Sequence, residues 1–362
     1  MLIYPTFKMA PIQGLTGFGG GATGNLVRGG SGAITQWNNS NLPPAEAGDS
    51  NIKMDILGGY PNILQIYYAT TVSLSSDSGT GTASHTCVSN FDFTSYGVTS
   101  VTFYAVGAGG GGNTGPCTNG SGGGGAAFKI VVPAGDSSLS SVTLLTGNRG
   151  RGGHQQTGRA FTSGPPYGVS IGAYGGGQTQ VKFSGAGGAN YMYANGGNAG
   201  QNDNCSSPTL GGGNGSGGSA GYNGTVPGTH TTFTGGNGTT SGHSANSGGN
   251  AAFPGGYISG SPTAGGNGTS GVSAGTGGGH WGYGGKGCSV LSNAGTGSAY
   301  TASSNTTPSE NMVGCNVFSG DTNGFGGGGG NIETDGSSSG GTGDYVGYAG
   351  HGGMAAIWIE LN

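Results

Sequence analysis

The clearest signal in the chain is an alternation of apolar and polar positions confined to a few short runs. At 97–106, Val101, Phe103 and Ala105 alternate with Thr102, Tyr104 and Val106, the period-2 pattern of a strand with two distinct faces. The run at 62–74 is rich in β-branched and aromatic residues, and a Ser/Gly turn region follows at 75–82; this predicts a further strand. Two more strands are predicted at 126–132, ended by Pro133, and at 141–145, and a last one at 354–361. No segment carries apolar residues at helical spacing, and each interior Gly costs a helix about 1 kcal/mol relative to Ala.

Between 147 and 353 the alternation gives way to glycine runs separated by short polar and aromatic inserts. The triplet Gly-Gly-Asn recurs at 111–113, 196–198, 212–214, 235–237, 248–250, 265–267 and 329–331. The spacing is irregular, which excludes a solenoid of fixed period. Glycine runs can form rods of polyproline II geometry, left-handed, three residues per turn and without internal hydrogen bonds. Packed side by side, such rods satisfy one another's backbone groups, as burial requires. A flexible glycine linker is the other reading, but a linker of this length between two strands would be out of keeping with ordinary connections.

The expected fold class is therefore mainly β and irregular, with essentially no α-helix. Residues 51–146, completed by the strand at 354–361, are expected to form a small β-sandwich. Residues 147–353 are expected to form a glycine-rich polyglycine II helix bundle with variable loops, inserted as one excursion. Residues 1–50 mix single apolar residues with glycine and read as an extended N-terminal attachment arm, with Leu15, Phe18, Leu26 and Trp37 as its docking residues.

Composition sharpens this picture. Glycine supplies 92 of 362 residues, far above the usual ~7%, and charged residues only 6%. Disordered chains are usually rich in charge, whereas this one keeps 32% hydrophobic residues, including 16 Tyr, 12 Phe and 3 Trp. Collagen needs Gly at every third position with abundant Pro, and there are only 14 Pro and no sustained triplet register. A net charge of -4, with 9 Lys and Arg scattered singly, provides no basic stripe for nucleic acid. No apolar run approaches a membrane span, and the N-terminal residues show no secretory signal.

Candidate chemistry is sparse. Gly107-Ala-Gly-Gly-Gly-Gly112 follows a strand and fits GxGxxG, but the residues after it will not start the helix that a dinucleotide fingerprint requires. Glu333, Asp335 and Asp344 form the only local group of acids, before the last strand, and read as a solvated turn rather than a pair of catalytic carboxylates. His230 and His243 are isolated, and the five cysteines, Cys87, Cys117, Cys205, Cys288 and Cys315, include no CxxC pair, so no metal site is expected. Two disulfides with one free thiol and a set of buried free thiols both stay open. No cofactor and no catalytic residue is expected.

The aromatic residues carry more information. They cluster in the inserts, as Phe161 with Tyr167, Tyr191 with Tyr193, Tyr222 with Phe233, Phe253 with Tyr257, and Trp281 with Tyr283. Tyr and Trp among Asn, Ser and Gly is the chemistry of binding loops, because rigid aromatic area loses little side-chain entropy on contact. The candidate receptor-binding residues are Arg159, Phe161, Tyr167, Tyr222, Phe233, Phe253, Tyr257, Trp281 and Tyr283, with the inserts 154–174, 222–233 and 288–318 favoured.

Two stretches resemble bacteriophage tail-fibre proteins: 97–112, where a strand runs into Gly107–Gly112, is similar to the opening of their glycine-rich domain, and 350–360 to its closing strand. The segment 17–24 resembles short N-terminal segments of similar phage proteins, and the middle of the chain resembles the tail-fibre adhesins, in which polyglycine II helices carry variable loops. The resemblance implies a protein on the exterior of the virion, in a fibre or tail, made in the host cytoplasm without a signal peptide. Its implied partners are other virion fibre or tail proteins and a host surface polysaccharide or outer-membrane protein. The function expected is non-enzymatic recognition of a host-cell receptor through loops on a glycine-rich scaffold; a purely structural virion decoration or head-fibre protein is the alternative. Fibre proteins of this kind are often trimers and tip adhesins single chains, so a homotrimer and a monomer both stay open.

Overall fold

A computed structural model describes residues 30–38, 52–57, 59–68, 82–88, 90–114, 119–154, 173–184, 190–201, 214–241, 246–256, 261–268, 284–290, 325–330 and 352–362. In chain order the elements are α1 (Gly30–Asn38), β1 (Ile52–Ile56), β2 (Ile63–Tyr68), β3 (Thr82–Thr86), β4 (Ser100–Val106), β5 (Asn113–Thr114), β6 (Asn119–Gly120), β7 (Ala127–Pro133) and β8 (Val142–Gly147). They continue with β9 (Gly153–His154), β10 (Thr179–Phe183), β11 (Tyr191–Ala194), β12 (Ala220–Asn223), β13 (Thr229–Phe233), β14 (Thr240–Ser241) and β15 (Ala356–Leu361).

The chain is mostly β, as its pattern predicted. A six-stranded antiparallel sheet runs in the order β1-β2-β15-β4-β7-β13, and a five-stranded one in the order β12-β11-β10-β8-β3. Their inner faces share one core. Val101, Phe103 and Ala105 of β4, Phe128 and Ile130 of β7, and Ile357 and Ile359 of β15 face Val142 and Leu144 of β8 and Val181 and Phe183 of β10, all buried. Phe103 meets Phe183 edge to face at 5.6 Å between ring centroids, a favoured aromatic geometry.

The predicted strands at 97–106, 126–132, 141–145 and 354–361 correspond to β4, β7, β8 and β15, and the start of 62–74 to β2. Other parts of the sequence reading are corrected. Residues 147–353 are not a separate excursion, because β10, β11 and β12 form most of the smaller sheet and β13 edges the larger one. The arm expected over 1–50 is not extended at 30–38. Residues 30–38 form the only α-helix among the described residues, and Trp37 is 0% exposed, held edge to face against Phe93 and near Phe103. Gly-Ser-Gly is a poor helix start; burial of Ala33, Ile34 and Trp37 on one side of α1 is what holds it. Leu15, Phe18 and Leu26 lie outside the described residues.

Glycine segments leave both sheets at the same end. Val106 pairs with Ala127 and Ala356, Ala127 with Phe233, and Ala194 with both Thr179 and Ala220. Strand ends of β4, β8, β11 and β13 and strand starts of β7, β10, β12 and β15 therefore converge there. The Thr179 hydroxyl donates to the Val106 carbonyl at 2.9 Å and ties the two sheets together at this end.

Beyond it, backbone hydrogen bonds run between segments in a fixed rotation. The N–H groups of Gly122, Gly123, Gly124 and Gly125 donate in turn to Gly329, Asn198, Gly236 and Gly326. Their carbonyls accept in turn from Gly249, Gly110, Gly218 and Ala252. The partner segment recurs after three residues in both series, the period of a polyproline II-type helix. The central segment is thus bonded to segments on every side, and no bulk fits between them. A Cβ on Gly123 would lie 2.1 Å from the Ser216 carbonyl oxygen, and one on Gly197 1.9 Å from that of Gly123.

The Gly-Gly-Asn triplets gain a structural role. Asn237 Oδ1 accepts from the Gly217 N–H at 2.8 Å, Asn267 Oδ1 from the Asn237 N–H at 3.0 Å, and Asn250 Oδ1 from the Lys286 N–H at 2.8 Å. The asparagine side chain supplies an acceptor to a neighbouring segment's N–H, the kind of partner that buried backbone needs.

The outer face of the six-stranded sheet is covered where the chain returns from the glycine segments. Ala252, Phe253, Cys288, Val290 and Phe325 pack on Val106, Ala356 and Trp358, with Phe325 edge to face on Trp358 at 5.5 Å. On this face Glu360 is 5% exposed and its Oε2 accepts from the Tyr104 hydroxyl at 2.9 Å. Burial pushes the Glu360 carboxyl up; the Tyr104 bond and the Lys129 charge pull it back without cancelling the rise.

Two tests follow from this packing. Gly197→Ala should lower stability by about 3 kcal/mol, while Gly32→Ala in α1, where a Cβ meets nothing within 4 Å, should raise it by up to ~1 kcal/mol; denaturant unfolding measures both. For Glu360, a folded-state pKa above the unfolded one means that stability falls as pH rises through the raised carboxyl range. Glu360→Gln keeps an acceptor for Tyr104 and removes the charge, so it should be more stable than wild type at neutral pH, with the gap closing as pH falls, read from Tm against pH.

Candidate binding site at the tip of the glycine bundle

The glycine segments run away from the sandwich and turn back at a distal tip. There the short strands β14, β6, β5 and β9 form a four-stranded sheet in that order, with β5 and β9 parallel and the other pairs antiparallel. Asn113 pairs with Gly120 and Gly153 in it. Ser121 fixes the segments behind: its hydroxyl donates to the Ser247 carbonyl at 2.7 Å and accepts from the Thr239 N–H at 2.7 Å.

Beside this small sheet the residues 198–201, 214 and 216 border an open cleft of about 550 Å³, lined chiefly by Asn113, Asn198, Gln201, Asn214 and Ser216. The polar lining is uncharged, amides and a hydroxyl. Asn198 Nδ2 donates to Ser216 Oγ, and Asn214 Nδ2 to the Gly238 carbonyl at 3.2 Å. Asn113 is 8% exposed, and its Oδ1 is buried without a hydrogen-bond partner. The volume lies within the ~300–1,000 Å³ usual for small-ligand sites.

Ala173 lines the same cleft, and Tyr174 beside it is 40% exposed. The Arg151 guanidinium lies over the Tyr174 ring at 4.6 Å from its centroid, close enough for a cation–π contact that holds the ring in place. Tyr174 N–H donates to the Arg151 carbonyl at 2.9 Å and its carbonyl accepts from the Gly111 N–H at 3.1 Å, so an exposed aromatic side chain stands on a backbone anchored in the bundle. Arg151 stood outside the candidate receptor residues, and Tyr174, though not singled out, closes the favoured insert 154–174, directly before Gly175–Gly177.

The candidate residues fall into three groups. Arg159, Phe161 and Tyr167, and Trp281 and Tyr283, lie outside the described residues, as does Tyr257. The first three belong to an insert that leaves from β9 and returns at Ala173, both at the tip. Tyr222 and Phe233 are not on a loop: they lie in β12 and β13 of the sandwich. Tyr222 is 55% exposed and meets His230 edge to face at 4.8 Å, across the open side between the two sheets. Phe233 is half-buried against the outer apolar cluster. Phe253 is corrected outright: at 1% exposure it is part of that cluster and is closed to any ligand.

Of the insert 288–318, Cys288 and Val290 are buried and 291–318 lie outside the described residues. Cys87 and Cys288 are free thiols, and burial pushes the Cys87 thiol up, away from reactive thiolate character. Among the described residues no group of three His, Cys, Asp or Glu side chains forms a metal site, and no helix is long and apolar enough to cross a membrane.

No family model matches the chain, and no curated protein matches it. The fold and the tip therefore carry the functional argument by themselves.

The contrast between a core and a display aromatic is measurable. Phe253→Ala should cost about 3–5 kcal/mol, whereas Tyr222→Ala, on an exposed strand edge, should cost under about 1 kcal/mol. Equal losses in thermal unfolding would mean that Tyr222 is a core residue.

Proposed function

We propose that this chain is a non-enzymatic recognition protein of a bacteriophage fibre or tail, which engages a host-cell surface receptor at the tip of its glycine bundle. In this reading the glycine segments are polyglycine II helices. The three-residue rotation of their hydrogen bonds and their close backbone approach support that assignment. They form a scaffold whose stiffness comes from backbone pairing, and the variable inserts are its display elements.

The observation that carries the proposal is the amide-lined cleft flanked by the Arg151–Tyr174 pair, at the place where the insert 155–172 departs and returns. Amides offer paired donors and acceptors, and an exposed aromatic ring adds contact area at low entropy cost. Neutral, hydroxyl-rich surface polysaccharide meets both. A rigid scaffold also favours binding, because little order remains to be imposed when the receptor arrives.

The test is binding of the purified protein to whole cells of candidate bacterial hosts. The region 222–233 is unsuitable for deletion because it contains part of β12 and all of β13. Replacing 155–172 by a short Gly-Ser linker should abolish binding with unfolding unchanged, and Tyr174→Ala should weaken it by about tenfold. A folded protein that binds no host, or that binds equally well after both changes, would sink the proposal in favour of a structural virion role.

A further inference from the structure

The outer face of the five-stranded sheet carries a second arrangement, remote from the tip cleft in its chemistry and independent of it. Strand pairing sets its side chains in rows. Asn223, Tyr191, Lys182, Thr143 and Thr86 are aligned across β12, β11, β10, β8 and β3. Tyr193 and Gln180 occupy the next row, with Gly221 on one side and Leu145 on the other.

Both tyrosines are held. Tyr191 accepts from Asn223 Nδ2 at 3.3 Å, and Lys182 Nζ lies 5.8 Å from its ring centroid. The end of the Tyr193 ring lies over Gly221, where a Cβ would be 2.7 Å from the Tyr193 hydroxyl; glycine at 221 lets the ring lean over the neighbouring strand. The two rings stand 6.1 Å apart at 54°. Both are half-buried on the outer face, and together they make a shallow aromatic platform.

An ordered chain of amides borders the platform. Gln180 Nε2 donates to Gln178 Oε1, Gln178 Nε2 to Asn195 Oδ1, and Asn195 Nδ2 to Ser219 Oγ at 3.1 Å. Each amide has two N–H donors, so one remains on each for an incoming oxygen. The charge is one-sided. Lys182 is cationic, and no acidic residue stands among the outward positions of β3, β8, β10, β11 and β12.

We infer that this face is a binding surface for an acidic polysaccharide, with Tyr191 and Tyr193 as the stacking platform, Lys182 as the partner of the anionic group, and Gln178, Gln180 and Asn195 as donors to ring and hydroxyl oxygens. An extended glycan suits a shallow, linear surface. The uncompensated Lys182 selects an anionic chain over a neutral one, because a carboxylate, sulfate or phosphate gains a charge-assisted hydrogen bond there.

Affinity electrophoresis through gels containing polygalacturonate, chondroitin sulfate, teichoic acid or neutral dextran tests this. The wild-type protein should be retarded by at least one of the acidic polymers and not by dextran, with retardation weakening as salt rises. Tyr193→Ala and Lys182→Gln should each weaken it by about tenfold. Gly221→Val should weaken it too, by pushing the Tyr193 ring aside without deleting it, while thermal unfolding of Lys182→Gln stays that of wild type. Tyr174→Ala at the tip should leave retardation unchanged, which separates this surface from the tip site. Retardation by none of the acidic polymers, equal retardation of wild type, Tyr193→Ala and Lys182→Gln, or a change of oligomeric state in these variants by sedimentation would overturn the inference, the last by making the face a contact between copies of this chain.

Discussion

The structure depends on how closely its glycine backbones approach. In the centre of the bundle the gap between segments is too narrow for even one methyl group, since a Cβ on Gly110 or Gly124 would stand 2.0 Å from a neighbouring carbonyl oxygen. Contact at that range lets N–H and C=O groups of adjacent segments meet directly, and a buried backbone must have such partners. Glycine loses more conformational freedom on folding than any other residue. The dense network of inter-segment bonds offsets that loss, and the asparagines at 237, 250 and 267 extend it with their side-chain acceptors. The stability of this half of the molecule therefore comes from polar pairing, with hydrophobic burial concentrated in the sandwich.

The two halves are continuous. Strands of both sheets end together, and the chain passes from pleated strand into glycine segment at each of those ends without a linker. The contact is reinforced from outside: Phe253, Val290 and Phe325, carried by the returning chain, cover the outer face of the large sheet. This arrangement sorts the inserts. Those at the tip leave from segments already locked by backbone bonds, while those at the sandwich end begin beside core residues. Position in the bundle, more than aromatic content, separates a residue that can be displayed from one that is packed away.

That sorting explains what the sequence made legible. Val101, Phe103 and Ala105 announced β4 because they give one wholly apolar face, set against Thr102 and Tyr104 on the other. The strand β3, Thr-Ala-Ser-His-Thr, buries only Ala83 and His85 and exposes the rest, so no hydrophobic run marked it. β10 and β11 are short and set among glycines, so Val181, Phe183 and Met192 looked like isolated apolar residues in a polar tract. Tyr191 and Tyr193 were visible as an aromatic pair, but their shared outward face exists only once Met192 is seen to point inward. Trp37 and Phe253 misled for one common reason: a lone aromatic beside glycine or small residues has the same local sequence whether it is displayed or buried. Only the partner it meets, Phe93 for Trp37 and the outer sheet face for Phe253, decides between them.

The two proposed surfaces differ in how freely they could vary. Residues inserted at the tip begin and end on segments held by backbone bonds, so a change of side chain there leaves the bundle's pairing intact. The tyrosine platform lies on strands whose alternate residues, Val181, Phe183 and Met192, build the sandwich core. A shift of register by one residue would turn every outward side chain of such a strand inward, so the platform is tied to the packing beneath it. A surface fixed in this way suits a ligand with a recurring feature, such as regularly spaced negative charge on a polymer. A tip whose inserts can change independently of the scaffold suits a target that differs from one host to the next.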